Sequence, residues 1–593
     1  MKYNPTDVAP LMLALLLPFV AMADQAPTTP DADRVQWQWG VQVPMRDGVR
    51  LNATVYTPRD QIAPAPCIFT LTPYIAQSYH DRGIYFASHG YPFLTIDVRG
   101  RGNSEGEFRP LIQEAKDGYD VVEWLARQPY CNGKVAMWGG SYAGYDQWAT
   151  AKEFPPHLAT IVPAAAPYAG VDFPMRGNIA DTYLMQWLTL TSGRASQDKL
   201  FGDSVFWNSQ NREWFESGAP FKDLDTHLGN PSATFQLWLT HPHLDDYWDS
   251  YNPTAEQYAK LLIPILTITG SYDGDQPGAL AHYHEYMKHS SPEGRARHYL
   301  VIGPWDHAGT RTPTAAFGGL TFGNASLADL PKLHLDWYAW TMQGGARPEF
   351  LEKHVAYYVM QADKWRYADT LESVTAESRA YHLDSTNSAS DVLASGSLNV
   401  AIARGMPDRY VYDPHDFSTA ALEVASDPTV LTDQSLIYAQ RGKLLVYHSP
   451  PFEQDTEVSG FFKLSAWLAI DQPDTDFSVF VYEIRQDGSS ILLTNDLKRA
   501  RYRESAREDK LITTHKPLQY DFTGFTFTSR QIKKGSRLRL VIAPINSIYS
   551  QKNYNSGGKV STESMKDARA VTVTLYHDRA HPSALFMPLG QKE

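Results

Sequence analysis

One stretch of the chain constrains its fold more than any other: an apolar run that ends in a serine flanked by glycines. Residues 134–144 read Lys-Val-Ala-Met-Trp-Gly-Gly-Ser-Tyr-Ala-Gly, so a predicted strand passes through Ser141 into the beginning of a helix. A sharp strand-to-helix turn of this kind lifts a serine hydroxyl above a sheet, beside backbone N–H groups of the next helix. The pattern predicts Ser141 as a nucleophile, although its last glycine comes one place later than in the general motif.

Strands and helices alternate on both sides of this turn. Apolar strands are predicted at 67–72, 93–97 and 263–270, and an amphipathic helix at 112–127. Near-continuous apolar strands that alternate with helices are typical of a parallel sheet covered on both faces. The predicted fold class of this half of the chain is therefore α/β.

Two downstream loops supply the partners that a nucleophilic serine needs. A serine hydroxyl is weak until a base takes its proton, and the base must be held by a third group. In this kind of fold the acid follows the serine and the histidine comes last. The strand at 265–269 leads to Asp273 and Asp275, and the strand at 299–302 leads to His307. We predict Asp273 as the acid and His307 as the base, with Asp275 as the rival acid.

The pattern changes twice after the serine. Residues 172–258 hold aromatic-rich helical stretches, which indicate a helical cap inserted between sheet strands. From about residue 355, short alternating runs separated by turns are typical of an all-β sandwich or jelly roll. We therefore predict a catalytic domain over 24–345 and a jelly-roll domain over 346–593.

The first 23 residues have the pattern of a cleaved export signal. Lys2 precedes an apolar run at 11–20, and Ala21-Met22-Ala23 supplies a small-x-small cleavage site. The run is too short to cross a bilayer comfortably, and no later segment offers about twenty consecutive apolar residues. We expect a periplasmic or secreted protein without a membrane span.

Charge and motif spacing argue against several other functions. With 53 basic and 66 acidic residues the net charge is −13, which disfavours a nucleic-acid partner. The histidines and aspartates at 241–246 match no standard zinc spacing, and the glycine-rich run at 97–106 lacks the Gly-Lys-Ser/Thr of a phosphate-binding loop. We expect no metal and no cofactor, and the question of a homo-oligomer stays open.

Five segments together resemble the family of cocaine esterases, glutaryl acylases and α-amino-acid ester hydrolases, whose catalytic fold is shared with X-Pro dipeptidyl-peptidases. The segments are 43–49, 72–74, 97–106, 123–144 and 303–309. The resemblance runs from about Trp37 to the C-terminus and is most specific at 128–144. It implies an α/β-hydrolase core, a helical cap and a C-terminal jelly roll.

The resemblance also implies residues that spacing alone does not reveal. In the family, two groups donate hydrogen bonds to the oxyanion: the hydroxyl of a tyrosine that follows a proline, and the backbone amide of the residue after the nucleophile. In this sequence they correspond to the Tyr74 hydroxyl and the Tyr142 amide. Amino-ester hydrolases add carboxylates for the substrate's ammonium, including an acidic pair just beyond the catalytic acid. Asp275-Gln276 keeps only half of that pair, so a full ammonium site is not expected. Arg176 would instead favour an anionic acyl group.

The cysteines add one structural prediction. In the usual sheet order of α/β-hydrolases, the strand that Cys67 opens and the strand that follows Cys131 are parallel neighbours. Neighbouring strands lie about 4.8 Å apart, within the reach of a disulfide. Because export supplies an oxidising compartment, we predict a Cys67–Cys131 bond.

The predicted function is an exported serine hydrolase that cleaves a small-molecule carboxylic ester or amide through an acyl-enzyme. Two alternatives stay open. An X-Pro dipeptidyl-peptidase would need a firm ammonium site. A non-catalytic protein would bind its ligand through the jelly roll.

Overall fold

The structure is a computed structural model that describes residues 31–386, 388–402 and 405–591. The predicted export signal at 1–23 lies outside these residues. Within the described ranges, an α/β unit extends to residue 368 and an all-β unit begins at residue 377.

The α/β unit is built on a mixed sheet. Its strands are β1 (Val35–Pro44), β2 (Arg50–Pro58), β3 (Ala65–Thr72), β4 (Phe93–Asp97), β5 (Cys131–Gly140), β6 (Leu158–Ala164), β7 (Met175–Arg176), β8 (Ile179–Ala180), β9 (Ile265–Tyr272), β10 (His298–Asp306), β11 (Ala316–Phe317), β12 (Leu320–Thr321), β13 (Val355–Val359) and β14 (Lys364–Ala368). Among the described residues ten of them form one sheet in the order β1-β2-β4-β3-β5-β6-β9-β10-β13-β14. The seven strands from β4 to β13 in that order are parallel, which confirms the predicted α/β class.

The helices of the α/β unit either cover the sheet or belong to the cap. They are α1 (His80–Ser88), α2 (Glu114–Leu125), α3 (Tyr142–Ala151), α4 (Tyr183–Leu190), α5 (Asp198–Phe201), α6 (Ser204–Ser217), α7 (Leu224–His227), α8 (Ala233–Trp238), α9 (Asp246–Asp249), α10 (Ala255–Lys260), α11 (Gln276–His289), α12 (Pro292–Arg295) and α13 (Leu330–Gln343). One apolar cluster packs α1 and α13 against the strands, and another packs α2 and α3 against them. Helices α4 to α10 lie between β6 and β9, where the cap was predicted. No described helix has the length and apolar content needed to span a bilayer.

Two strands beyond the predicted boundary at residue 345 still pair with the α/β sheet. Val355 pairs with Leu300 of β10, so β13 and β14 extend the catalytic sheet to Ala368. Short alternating strands without a helix between them resemble a β domain in sequence, but here they form the antiparallel edge of the parallel sheet.

The rest of the chain forms the predicted all-β unit. Its strands are β15 (Glu377–Asp384), β16 (Gly396–Asn399), β17 (Asp408–Tyr412), β18 (Leu445–His448), β19 (Thr456–Gly460), β20 (Lys463–Ile470), β21 (Asp476–Ile484), β22 (Ser490–Arg499), β23 (Leu518–Phe522), β24 (Thr528–Ile532), β25 (Arg537–Pro544), β26 (Val571–Tyr576) and β27 (Ala584–Leu589). Two short helices, α14 (Ala420–Ala425) and α15 (Ser435–Ala439), interrupt them. Inward-facing side chains such as Leu464, Val479 and Leu540 form its core.

The two cysteines are neighbours, but they are not bonded. Cys67 and Cys131 are buried free thiols on the adjacent strands β3 and β5, and each donates to a backbone carbonyl, that of Ala65 at 3.7 Å and that of Lys134 at 3.9 Å. In the strand register Cys67 lies opposite Val135, and Cys131 lies opposite Ala65. The predicted disulfide is therefore corrected to an adjacent pair of thiols, offset along the two strands.

Candidate active site

The turn between β5 and α3 holds Ser141 in a conformation that few residues adopt. Its φ of 62° and ψ of −130° store backbone strain of the kind found at functional sites. Gly139 and Gly144 make the turn possible. A Cβ at Gly139 would lie 2.7 Å from that of Ala143, and one at Gly144 would lie 2.6 Å from the Ala164 carbonyl oxygen. The glycine that comes one place late in the motif is therefore needed for the close packing of the turn against β6.

Two loops at the same edge of the sheet bring His307 and Asp273 together. His307 Nδ1 and Asp273 Oδ1 are 2.8 Å apart, whereas the nearest oxygen of Asp275 is 3.7 Å away. The Asp273 side chain is fully buried and also accepts hydrogen bonds from the Thr269 hydroxyl and the Asp275 amide. This geometry favours Asp273 over Asp275 as the partner of His307.

The surroundings of His307 favour its charged form. Burial alone would lower the pKa of His307, but the Asp273 hydrogen bond and the negative charges of Asp275 and Asp273 raise it above its usual 6.5. Because Nδ1 is bonded to the carboxylate, Nε2 is the ring nitrogen that is left for a second partner.

Tyr74 lies directly beside the serine. Its phenol oxygen is 3.4 Å from Ser141 Oγ and accepts a 3.0 Å hydrogen bond from the indole N–H of Trp187 in α4. Burial raises the pKa of Tyr74 to about 12, so the phenol stays protonated near neutral pH. A hydroxyl that is protonated and already accepts from an indole has its own proton free to donate.

Tyr142 follows the serine and is the first residue of α3. The first N–H groups of a helix have no intrahelical acceptor, so its amide is available at the turn. Its side chain is held on two sides: the ring stacks on Trp187 at 5.7 Å, and the hydroxyl donates a 2.6 Å hydrogen bond to Glu114. The hydroxyl also accepts from the Leu111 amide at 2.6 Å.

A cavity of about 290 Å³ joins these groups. Ser141, Tyr74, Tyr142 and His307 all line it. Its remaining lining comes from the loop after β9 and from residues of the cap region: Pro167, Asp172, Phe173, Pro174, Asp181, Tyr183, Trp187, Gly274 and Asp275.

Three carboxylates face this cavity, and sequence reasoning found only one of them. Asp172 and Asp181 come from the cap region and join Asp275. Asp172 accepts backbone hydrogen bonds from Tyr168 and Gly278, and Asp275 lies near His307. Among the described residues, none of the three carboxylates forms an ion pair with lysine or arginine. Burial, and then the charge of neighbouring carboxylates, raises the pKa of Asp172 and of Asp275 above the usual range.

Comparison with protein families identifies the group to which this arrangement belongs. Residues 47–309 match the X-Pro dipeptidyl-peptidase (S15 family) domain, and residues 349–585 match the X-Pro dipeptidyl-peptidase C-terminal non-catalytic domain. The chain belongs to the S15 family.

Full-length relatives agree with this assignment. The cocaine esterase of Rhodococcus sp. (strain MB1 Bresler) is 25% identical over 586 residues, which cover 93% of this chain and 98% of the relative. An α-amino acid ester hydrolase structure superposes with a TM-score of 0.81 at 20% identity, over 94% of this chain and 97% of the other. The structure of an aminopeptidase from a marine sediment Thaumarchaeota archaeon superposes with a TM-score of 0.79 at 21% identity, over the same shares of the two chains. This S15 protein is therefore an enzyme, a hydrolase of the serine esterase class.

The S15 fold places Arg176 away from the cavity, which corrects its predicted role in substrate binding. Its guanidinium donates to the backbone and side-chain oxygens of Asn495 at 2.7 and 3.1 Å, and to the Gly524 carbonyl at 3.2 Å. Arg176 thus connects the cap region to the all-β unit, whose position the sequence did not reveal.

The histidine cluster after α8, whose spacing matches no standard zinc site, has a structural role. His241 Nδ1 lies 2.7 Å from Asp245 Oδ2, and the other oxygen of Asp245 accepts from the amides of Tyr247 and Trp248 at the beginning of α9. Asp245 is therefore a helix cap rather than a free ligand.

Proposed function

We propose that this S15 hydrolase cleaves carboxylic esters or amides through an acyl-enzyme on Ser141. His307 takes the serine proton and returns it to the leaving group, and Asp273 holds the imidazole. The observation that supports this assignment best is the 2.8 Å bond between His307 and Asp273, at a cavity that Ser141 also lines. The three residues occur in the chain order expected for this fold.

Two donors stabilise the tetrahedral intermediate in this proposal. The Tyr74 hydroxyl and the Tyr142 amide donate to the oxygen on which negative charge develops. The indole of Trp187 supports the first donor, because it occupies the phenol oxygen as an acceptor and leaves the phenol proton for the oxyanion. Trp187 supports the second donor, the Tyr142 amide, by stacking on the ring of the same residue.

The acyl side of the cavity suits a substrate with a positively charged group. Asp172, Asp181 and Asp275 line it without a lysine or arginine partner in the described chain. A buried carboxylate without a counter-ion is costly, and an ammonium group relieves that cost. We therefore favour esters or amides whose acyl group carries an amine, even though the acidic pair beyond Asp273 is incomplete.

A substrate panel tests this assignment. Each substrate has the same 4-nitroaniline leaving group and an α-aminoacyl, neutral acyl, glutaryl or X-Pro dipeptidyl acyl part. We expect the α-aminoacyl substrate to give the highest kcat/KM and the glutaryl substrate the lowest. If the X-Pro substrate is fastest, the dipeptidyl-peptidase alternative replaces ours. A fluorophosphonate probe that labels the wild type but not Ser141→Ala excludes the non-catalytic alternative.

The pH profile provides a second test. His307 must be neutral to accept the serine proton, so kcat/KM falls as the pH drops through the pKa of His307. Since that pKa is raised, the midpoint of the acid limb lies above 6.5. A midpoint well below this value contradicts the roles of Asp273 and Asp275 beside His307. Export to the periplasm or medium remains part of the proposal, and fractionation of the producing cells with immunoblotting tests it.

A further inference from the structure

We propose that Arg311 binds an anionic group, such as a carboxylate, on the leaving group of the substrate. The inference rests on the proposed function, because it concerns the half of the substrate that His307 releases. It adds a specificity residue outside the lining of the acidic cavity.

Arg311 is built into the catalytic loops. It follows His307 by four residues, and the Thr310 hydroxyl donates a 2.8 Å hydrogen bond to the His307 carbonyl. The guanidinium packs against Gly140, the residue before Ser141, where any side chain would overlap it. The cation is therefore held beside both the serine turn and the histidine loop.

Its charge is unpaired in an acidic protein. The chain has 66 acidic residues, yet no carboxylate of the described residues forms an ion pair with Arg311. Its side chain makes one long hydrogen bond, 3.4 Å to the Thr310 hydroxyl. A guanidinium has five N–H donors, and a half-buried one without an anion is an unfavourable arrangement that a bound carboxylate would relieve. The residue is partly exposed to solvent.

A second arginine fixes this loop. Arg82 donates from Nη2 to the Arg311 carbonyl at 3.1 Å and to the Thr312 hydroxyl at 3.0 Å, while its guanidinium lies 5.4 Å from the centre of the Trp138 ring. Arg82 also has no carboxylate partner within the described ranges. We regard Arg82 as a positioning residue, since its donors are used on the loop itself.

Arg311 lies outside the acyl cavity, although its charge acts on both Asp275 and His307. Asp172, Asp181 and Asp275 line the acyl cavity, whereas Arg311 is absent from its lining. His307 gives its proton to the leaving group, and Arg311 belongs to the same loop as His307. The site therefore selects a substrate with a cationic acyl part and an anionic leaving part.

Two substrates with a common acyl group test the inference. One releases 4-nitroaniline, and the other releases the same amine with an added ring carboxylate, 3-carboxy-4-nitroaniline. We expect Arg311→Gln to lower kcat/KM roughly tenfold or more for the carboxylated substrate, the size of a lost charge-assisted hydrogen bond. The neutral substrate should change less than about threefold. Arg311→Lys should restore part of the difference, and added salt should reduce it in the wild type. Arg109→Gln, at an exposed arginine paired with Glu107, is the matched control.

Other outcomes distinguish failure of this inference from failure of the proposed function. Equal losses on both substrates, measured at a pH above the acid limb, would mean that Arg311 only supports the serine turn or His307; the pH matters because the charge of Arg311 itself lowers the pKa of His307. That result overturns the leaving-group site and leaves the proposed function standing. If the wild type hydrolyses neither substrate, or if the Ser141→Ala variant keeps the activity, the proposed function fails and the inference fails with it.

Discussion

The cavity beside Ser141 has two walls of different origin. One is made of loops that follow sheet strands, which place Tyr74, Ser141 and His307. The other belongs to the cap region, which places Asp172 and Trp187. The strand-end wall holds the groups assigned to bond cleavage and also Asp275, whereas the cap wall holds the other groups assigned to substrate choice and the support of the oxyanion donors.

The two walls differ in how strongly the sheet constrains their side chains. Strand ends are held in place by the hydrogen bonds of the parallel sheet. Side chains on them therefore keep the distances and angles that proton transfer requires. The cap is an insertion between β6 and β9 and can change its side chains without disturbing the sheet. Trp187 is the exception, because it lies in α4 yet contacts both proposed oxyanion donors.

The largest expected effect belongs to the strand-end wall. Ser141→Ala should lower kcat by about a million-fold with the fold intact, because the acyl-enzyme cannot form. His307→Ala should be similarly severe and Asp273→Asn milder. Steady-state kinetics and circular dichroism measure these effects. If Asp275→Asn is far worse than Asp273→Asn, the assignment of the acid is wrong.

The next effect separates a donor from a packing residue. Tyr74→Phe keeps the ring and removes the hydroxyl, so kcat should fall roughly a hundred- to a thousand-fold with little change in KM. Activity within about threefold of the wild type would make Tyr74 a structural residue.

An effect on selectivity alone is expected from the cap wall. Asp172→Asn should lower kcat/KM roughly ten- to a hundred-fold for an α-aminoacyl anilide, since it removes a charged partner of the ammonium. A neutral acyl anilide should be nearly unaffected. Glu213→Gln, at an exposed acid of α6, is the matched control. Equal losses on both substrates would assign Asp172 to the support of the Tyr168 and Gly278 amides instead.

The smallest effect tests whether a residue of the cap wall, Trp187, also contributes to bond cleavage through Tyr74. Trp187→Phe keeps an aromatic ring against Tyr142 and removes the bond to Tyr74, so kcat should fall roughly three- to tenfold. In the Tyr74→Phe background the same change should have almost no effect, because the hydroxyl that it orients is already gone. Additive losses in the double variant would mean that Trp187 acts through the shape of the cavity alone.

Several features of the molecule were predictable because they depend on local pattern. The run into Ser141 predicted a strand, a turn and a helix, and the structure has β5, the turn and α3 at those positions. The candidate acid and base were predictable for a similar reason, since each follows an apolar strand and parallel strands end at one edge. Tyr74 came from family resemblance, because a tyrosine after a strand has no distinctive spacing.

Other features depended on contacts between distant segments. Asp172 is separated by about one hundred residues from Asp275, and no spacing rule brings them to one cavity. Arg176 was misjudged because its partner, Asn495, lies 319 residues away in the all-β unit. The sequence did not reveal that the sheet extends to Ala368, because an edge hairpin and a β domain show the same alternation of apolar and polar residues.

The sequence by itself determined the fold class, the serine turn and the family, because each is encoded in neighbouring residues whose spacing follows strand or helix geometry. Only the tertiary structure decided which carboxylate lies against His307, which cap side chains line the cavity of the serine, and that Arg311 packs beside Gly140 without an ion-pair partner among the described residues. These relations depend on how the cap and the loops pack over the sheet. Packing of that kind is set by the sum of many distant contacts and leaves no periodic pattern in the chain.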